Sequence, residues 1–96
     1  MNLSGPVANR LRAKLEAAFA PEILAIDDES YRHAGHSGAR EGGESHFRVR
    51  IVSAAFKSVS RVERQRRVYA ALAEEIDAGL HALALTTLTP EEAGRS

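Results

Sequence analysis

From Ser60 to Ala78 runs the longest stretch of this chain with both a start and a stop signal for a helix, and a segment with strand periodicity flanks it on either side. Ser60-Arg61-Val62-Glu63 has the spacing of a capping box, in which the serine oxygen accepts the Glu63 backbone N–H and the glutamate reaches back to the serine N–H. Gly79 supplies the stop, because it can turn left-handed without a Cβ penalty. Val62, Tyr69, Leu72 and Ile76, with Val68 beside them, recur at helical spacing, so this stripe is predicted to lie on a sheet. Before the helix, His46 to Ser53 alternates Phe47, Val49 and Ile51 against His46, Arg48 and Arg50. After it, Leu80 to Leu88 sets His81, Leu83 and Leu85 against Ala82, Ala84 and Thr86. A helical crossover between two strands of one sheet makes them parallel, with right-handed sense.

The rest of the chain is arranged around that unit. Pro6 suits a first helical position, and Val7, Leu11, Leu15 and Phe19 repeat every four residues, which predicts a helix over Pro6–Phe19 closed by Pro21. Glu22 to Asp28 alternates weakly, with Leu24 and Ile26 opposed to Ile23, and reads as a first strand antiparallel to the second. Residues 30–45 carry Gly35, Gly38, Gly42 and Gly43 and almost no large apolar side chain, so they read as a flexible loop. At about fifteen residues such a loop is long for a small domain, which points to a functional role. Ala54 to Val59 is a connector whose Phe56 and Val59 should tuck into the core, and residues 90–96 read as a frayed polar tail. The predicted fold is α+β: one domain over residues 1–96, ordered from about 6 to 89, with a three-stranded mixed sheet and its helices packed on one face. Its order, αββααβ, resembles the type II K-homology-like topology.

Lysine plus arginine and aspartate plus glutamate number 13 each, so no global field of the kind carried by dedicated nucleic-acid binders exists. Cysteine is absent, which excludes disulfides, thiolate catalysis and any metal site built from this chain's own sulfur. No apolar run nears the roughly 18 residues of a membrane span, and the start of the sequence has neither a basic patch nor an apolar stretch of an export signal, so a cytoplasmic protein is expected; the free protein is expected to be a monomer. No phosphate loop, dinucleotide fingerprint or H-E-x-x-H pair occurs, so an enzyme is not expected.

Two sets of residues could carry chemistry. Arg61, Arg64, Arg66 and Arg67 crowd the first half of the long helix while Glu74, Glu75 and Asp77 sit in its last turn, against the helix dipole. They read either as a solvated polar face or as an end that attracts phosphates or an acidic partner surface. Of the four histidines, His81 on a strand beside leucines reads by itself as a structural side chain. His33 and His36 read as exposed loop residues or a flexible metal-binding pair, and His46 as a local hydrogen-bonding group.

Several separated motifs in order resemble the BolA family. They are Asp27-Asp28-Glu29-Ser30-Tyr31-Arg32-His33; Gly43-Glu44-Ser45-His46-Phe47-Arg48-Val49 with Val52-Ser53; Phe56 with Ser60-Arg61-Val62-Glu63-Arg64-Gln65-Arg66; and Leu72-Ala73-Glu74-Glu75 followed by His81-Ala82-Leu83-Ala84-Leu85. The resemblance implies a non-enzymatic partner of a monothiol glutaredoxin that shares a [2Fe–2S] cluster with it, in cluster trafficking or iron regulation. It also implies, as the alternative, a transcriptional regulator that binds DNA through Arg61, Arg64, Arg66 and Arg67. Two imidazoles can replace thiolates on one iron, as in Rieske-type centres, while the partner's cysteine and glutathione hold the other. His81 matches the family's histidine before the third strand, and the second ligand is expected from the loop: His36, with the closer spacing to Ser45-His46-Phe47, or His33. The isolated chain is expected to hold no cluster. A K-homology RNA reader fits less well, because Lys57-Ser58-Val59-Ser60 lacks a glycine clamp. The family usually has glycine where this chain has Ser58, and histidine where it has Gln65. Gln65 is three residues after Val62, which predicts a place on the buried stripe with a structural hydrogen bond.

Overall fold

The computed structural model describes residues 5–29, 46–80 and 82–95. The first helix, α1, spans Pro6–Phe19 with Pro6 at its first turn, as its spacing predicts. It is closed by Ala20 in a left-handed conformation (φ 44°, ψ 55°), whose N–H returns to the Glu16 carbonyl at 3.0 Å, and not by an extended residue before Pro21. Strand β1 (Ile23–Asp28) pairs antiparallel with β2 (His46–Val52), and β2 pairs parallel with β3 (Ala82–Leu88), giving the order β1-β2-β3. The expected mixed sheet is therefore present.

Phe47, Val49 and Ile51 point from β2 into a core completed by Val7, Leu11, Leu15 and Phe19 of α1 and by Phe56, Val68, Leu72 and Leu80. Phe56 sits in a 3-10 turn (Ala54–Phe56) and is fully buried, its ring 5.1 Å from that of Phe19. Burial of such a side chain contributes about 2–3 kcal/mol. Ser53, also fully buried, joins three elements: its Oγ donates to the Phe19 carbonyl at 2.7 Å and accepts the Ala55 N–H at 3.0 Å, while its own N–H reaches Leu88. Val59 is only half-buried and lies outside this core.

The long helix departs from its predicted form in two ways. It is divided into α2 (Arg61–Ala71) and α3 (Ala73–Asp77) by Leu72 at φ −105°, ψ 13°, whose carbonyl accepts both the Glu75 and the Ile76 N–H at 3.0 Å. The packed stripe is also rotated from the apolar one. Arg64, Val68, Leu72 and Glu75 are buried, whereas Val62 and Tyr69 are exposed at 64% and 41%, and Gln65 is exposed with them.

The reason is electrostatic. Glu75 accepts hydrogen bonds from Arg10 Nε at 3.0 and 3.1 Å and from Lys14 Nζ at 3.0 Å, so α3 is pinned to α1 through a buried carboxylate. Burial pushes that carboxyl up, but the Lys14 and Arg10 hydrogen bonds outweigh it and hold it below the usual range. A paired charge takes a core position that hydropathy reserves for an apolar residue.

The expected tail is a fourth helix, α4 (Pro90–Arg95). Thr89 Oγ1 accepts the Glu92 N–H at 3.1 Å and Glu92 Oε1 accepts the Thr89 N–H at 2.9 Å, a complete capping box with proline at the first helical position.

Candidate functional site

The first candidate region is the end of the sheet where β1 stops and β2 and β3 begin. The Glu29 N–H donates to the His46 carbonyl at 2.8 Å, and Asp28 pairs with Phe47. His46 in turn stands opposite Ala82 in the parallel ladder. Glu29 and His46, which bound residues 30–45 in the sequence, therefore lie together beside the start of β3. Arg48 Nε holds the Glu29 carboxylate at 2.9 Å across this end. A hollow of about 240 Å3 is lined by Glu29, His46, Phe47 and Ala82–Ala84.

His33, His36 and His81, the histidines proposed from sequence as ligands, lie outside the described residues, as does the rest of the 30–45 segment. What the structure brings together are their chain neighbours: Glu29 and His46, which bound the segment, and Ala82, which follows His81. Among the described residues no three His, Asp or Glu side chains converge as a metal site.

The second candidate region is the start of α2. The Ser60 Oγ accepts the Glu63 N–H at 3.1 Å, but the Glu63 carboxylate takes Arg67 at 3.3 Å and Arg66 at 3.7 Å, so the capping box is found in its serine half. Of the four arginines named from sequence, Arg61, Arg66 and Arg67 are exposed. Arg64 is turned inward with a side chain only 6% exposed. Its Nε donates to the Val59 carbonyl at 2.8 Å and its Nη1 to the Thr87 carbonyl at 3.0 Å. A forked pair with Glu92 at 2.7 and 3.2 Å adds two further bonds, and the guanidinium lies 5.7 Å from the Phe56 ring centre. Arg64 is thus a structural cation, withdrawn from any phosphate.

Glu92 is the residue that sequence reasoning missed. Its hydrogen bond with Arg64, aided by the Thr89 N–H, lowers its carboxyl to about 2. The signal was present as Thr89-Pro90-Glu91-Glu92, the threonine-to-glutamate spacing of a capping box with proline in second place.

Comparison with known proteins agrees with this architecture. The family model described as BolA-like protein matches residues 15–92. Protein BOLA1, chloroplastic, of Arabidopsis thaliana is 48% identical over 87 residues, covering 88% of this chain and 54% of that protein. This chain thus spans about half the length of that relative. The DNA-binding transcriptional regulator BolA of Haemophilus influenzae is 46% identical over 82 residues, with 85% of this chain and 76% of the relative covered. Among solved structures, the BolA domain of SufE1 from Arabidopsis thaliana superposes with a TM-score of 0.83 at 45% identity, covering 93% of this chain and 98% of that domain. A family model that spans residues 15–92, together with relatives of this identity and a matching fold, establishes that the chain belongs to the BolA family.

Proposed function

We propose that this protein is a non-enzymatic, cytoplasmic adaptor that binds a monothiol glutaredoxin and shares a [2Fe–2S] cluster with it, through His81 and one histidine of the 30–45 segment, His36 or His33. The observation that supports the reading is the convergence at one end of the sheet of Glu29, His46 and Ala82, the sequence neighbours of the segment bearing His33 and His36 and of His81. The donor set fits half a cluster. Imidazoles can ligate one iron, while a chain without cysteine leaves the other iron to the partner's thiolate and to glutathione.

The cluster supplies the bridge between the proteins. This chain's part is to present two neutral imidazole nitrogens to one iron. Ligation requires the deprotonated nitrogen, so protons compete with iron for these imidazoles. The test is titration of a [2Fe–2S]-loaded monothiol glutaredoxin with this protein, followed by visible absorption and circular dichroism. The reading predicts a saturable spectral change that His81→Ala abolishes and that His36→Ala or His33→Ala reduces. An unaltered spectrum at saturating protein would exclude it.

A second reading, a DNA-binding regulator, draws on the name of the Haemophilus relative and on the exposure of Arg61, Arg66 and Arg67. In that case affinity for duplex DNA should fall with rising salt, and replacing these three arginines should flatten the slope. Binding that is indifferent to both would dismiss it.

A further inference from the structure

The apolar side chains on the outer face of α2 take no part in either reading. Ile23, Val62 and Tyr69 are the large apolar side chains left exposed among the described residues, and two of them share this face seven residues apart. Val62, Gln65 and Tyr69 line a hollow of about 460 Å3 whose rim carries Arg61 and Arg66. Tyr69 also borders a second hollow of about 280 Å3, where it meets Ile76 and Leu80. The two hollows therefore form one groove along α2 and α3. Its apolar contacts recur every seven residues, two helical turns or about 10 Å apart.

We propose that this groove docks an amphipathic α-helix of a partner protein, with apolar anchors two turns apart and carboxylates flanking them. The complementarity is specific. Apolar floor and cationic rim match an acidic helix, in which alternate turns supply the anchors and glutamates or aspartates on either side meet Arg61 and Arg66. Nucleic acid would find a stacking plane in Tyr69 alone, because Val62, exposed at 64%, offers only an aliphatic surface. Rotation of the packed stripe toward Arg64 and Glu75 is what frees Val62 and Tyr69 for this role. The proposal uses neither the histidines nor iron, and its second hollow borders the first candidate region at Ala82 and Leu83.

The experiment is selection of peptides from a random phage-displayed library on the full-length protein, followed by fluorescence polarisation of the selected peptides in solution. The expected consensus pairs large apolar residues seven apart with flanking acidic residues. Affinity should drop roughly tenfold or more in Val62→Glu and Tyr69→Ala. Gln65→Glu, a change at an exposed rim position, should weaken binding in the same sense, while Ile23→Glu, on β1, should leave it intact. Arg66→Glu should select against acidic flanks. Absence of a consensus, or equal binding by Val62→Glu and wild type with unchanged melting of both, overturns the proposal. So does loss of an oligonucleotide, but of no selected peptide, in these variants, which would give the groove to nucleic acid.

Discussion

Ser58 carries its Cβ at φ 61°, in the region where an L-residue crowds its own carbonyl. The family's usual glycine at this position is thus explained by backbone geometry: the chain must turn left-handed between the 3-10 turn and the Ser60 cap. Ala20, at φ 44°, meets the same demand at the end of α1. Ser58→Gly and Ala20→Gly should each stabilise the fold by about 0.5–1 kcal/mol, seen as a higher urea midpoint at constant slope. A lower midpoint in either variant would mean that the side chain contributes more than its backbone strain costs. Phe56 lies at the opposite extreme, fully buried between the Phe19 ring and the Arg64 guanidinium. Phe56→Ala should lose about 3–5 kcal/mol, the usual cost of removing an aromatic side chain from a core.

At the scale of elements, two carboxylates position two helices. Glu75 pins α3 to α1, and Glu92 pins α4 to α2 through Arg64. The Glu92 carboxyl is depressed to about 2 from an ordinary value of 4.5, so its contribution is present above pH 4.5 and is lost as pH falls toward 2. Thermal melts of the wild type should therefore drop across that window. Glu92→Gln should start lower at neutral pH and drop less; a parallel curve would show that the latch adds nothing. These two pairs also explain what the sequence concealed. Arg64 and Glu92 are 28 residues apart, and Arg10 and Glu75 are 65 apart, so no local pattern reveals that Arg64 and Glu75 can be buried. Hydropathy alone chose Val62 and Tyr69 for the core, and it placed Gln65 with them. The α4 helix was concealed differently: its polar composition suggested a tail, although Thr89 and Glu92 already had capping spacing. What periodicity did carry was α1 to its last residue, and the strand alternation of Phe47, Val49 and Ile51 that fixes the sheet's buried face.

For the whole molecule, the strand order follows from connectivity. An antiparallel pair and one parallel crossover bring Glu29, His46 and Ala82 to one end of the sheet, while the start of α2 forms a separate surface with three exposed arginines. The candidate ligands were named from the motifs around them, and His33, His36 and His81 lie outside the described residues. The proposed cluster-sharing state should accordingly depend on His81 without depending on the α2 face, while the fold itself stays intact in His81→Ala. Circular dichroism in the far ultraviolet and in the visible, recorded on the same samples, separates the two. The most direct measurement is electron–nuclear double resonance on the reduced cluster, with this protein labelled by 15N-histidine and mixed with unlabelled, [2Fe–2S]-loaded monothiol glutaredoxin. The account predicts a strong 15N hyperfine coupling from a histidine of this chain, lost with His81→Ala. A complex that forms with no 15N coupling would contradict histidine ligation from this protein.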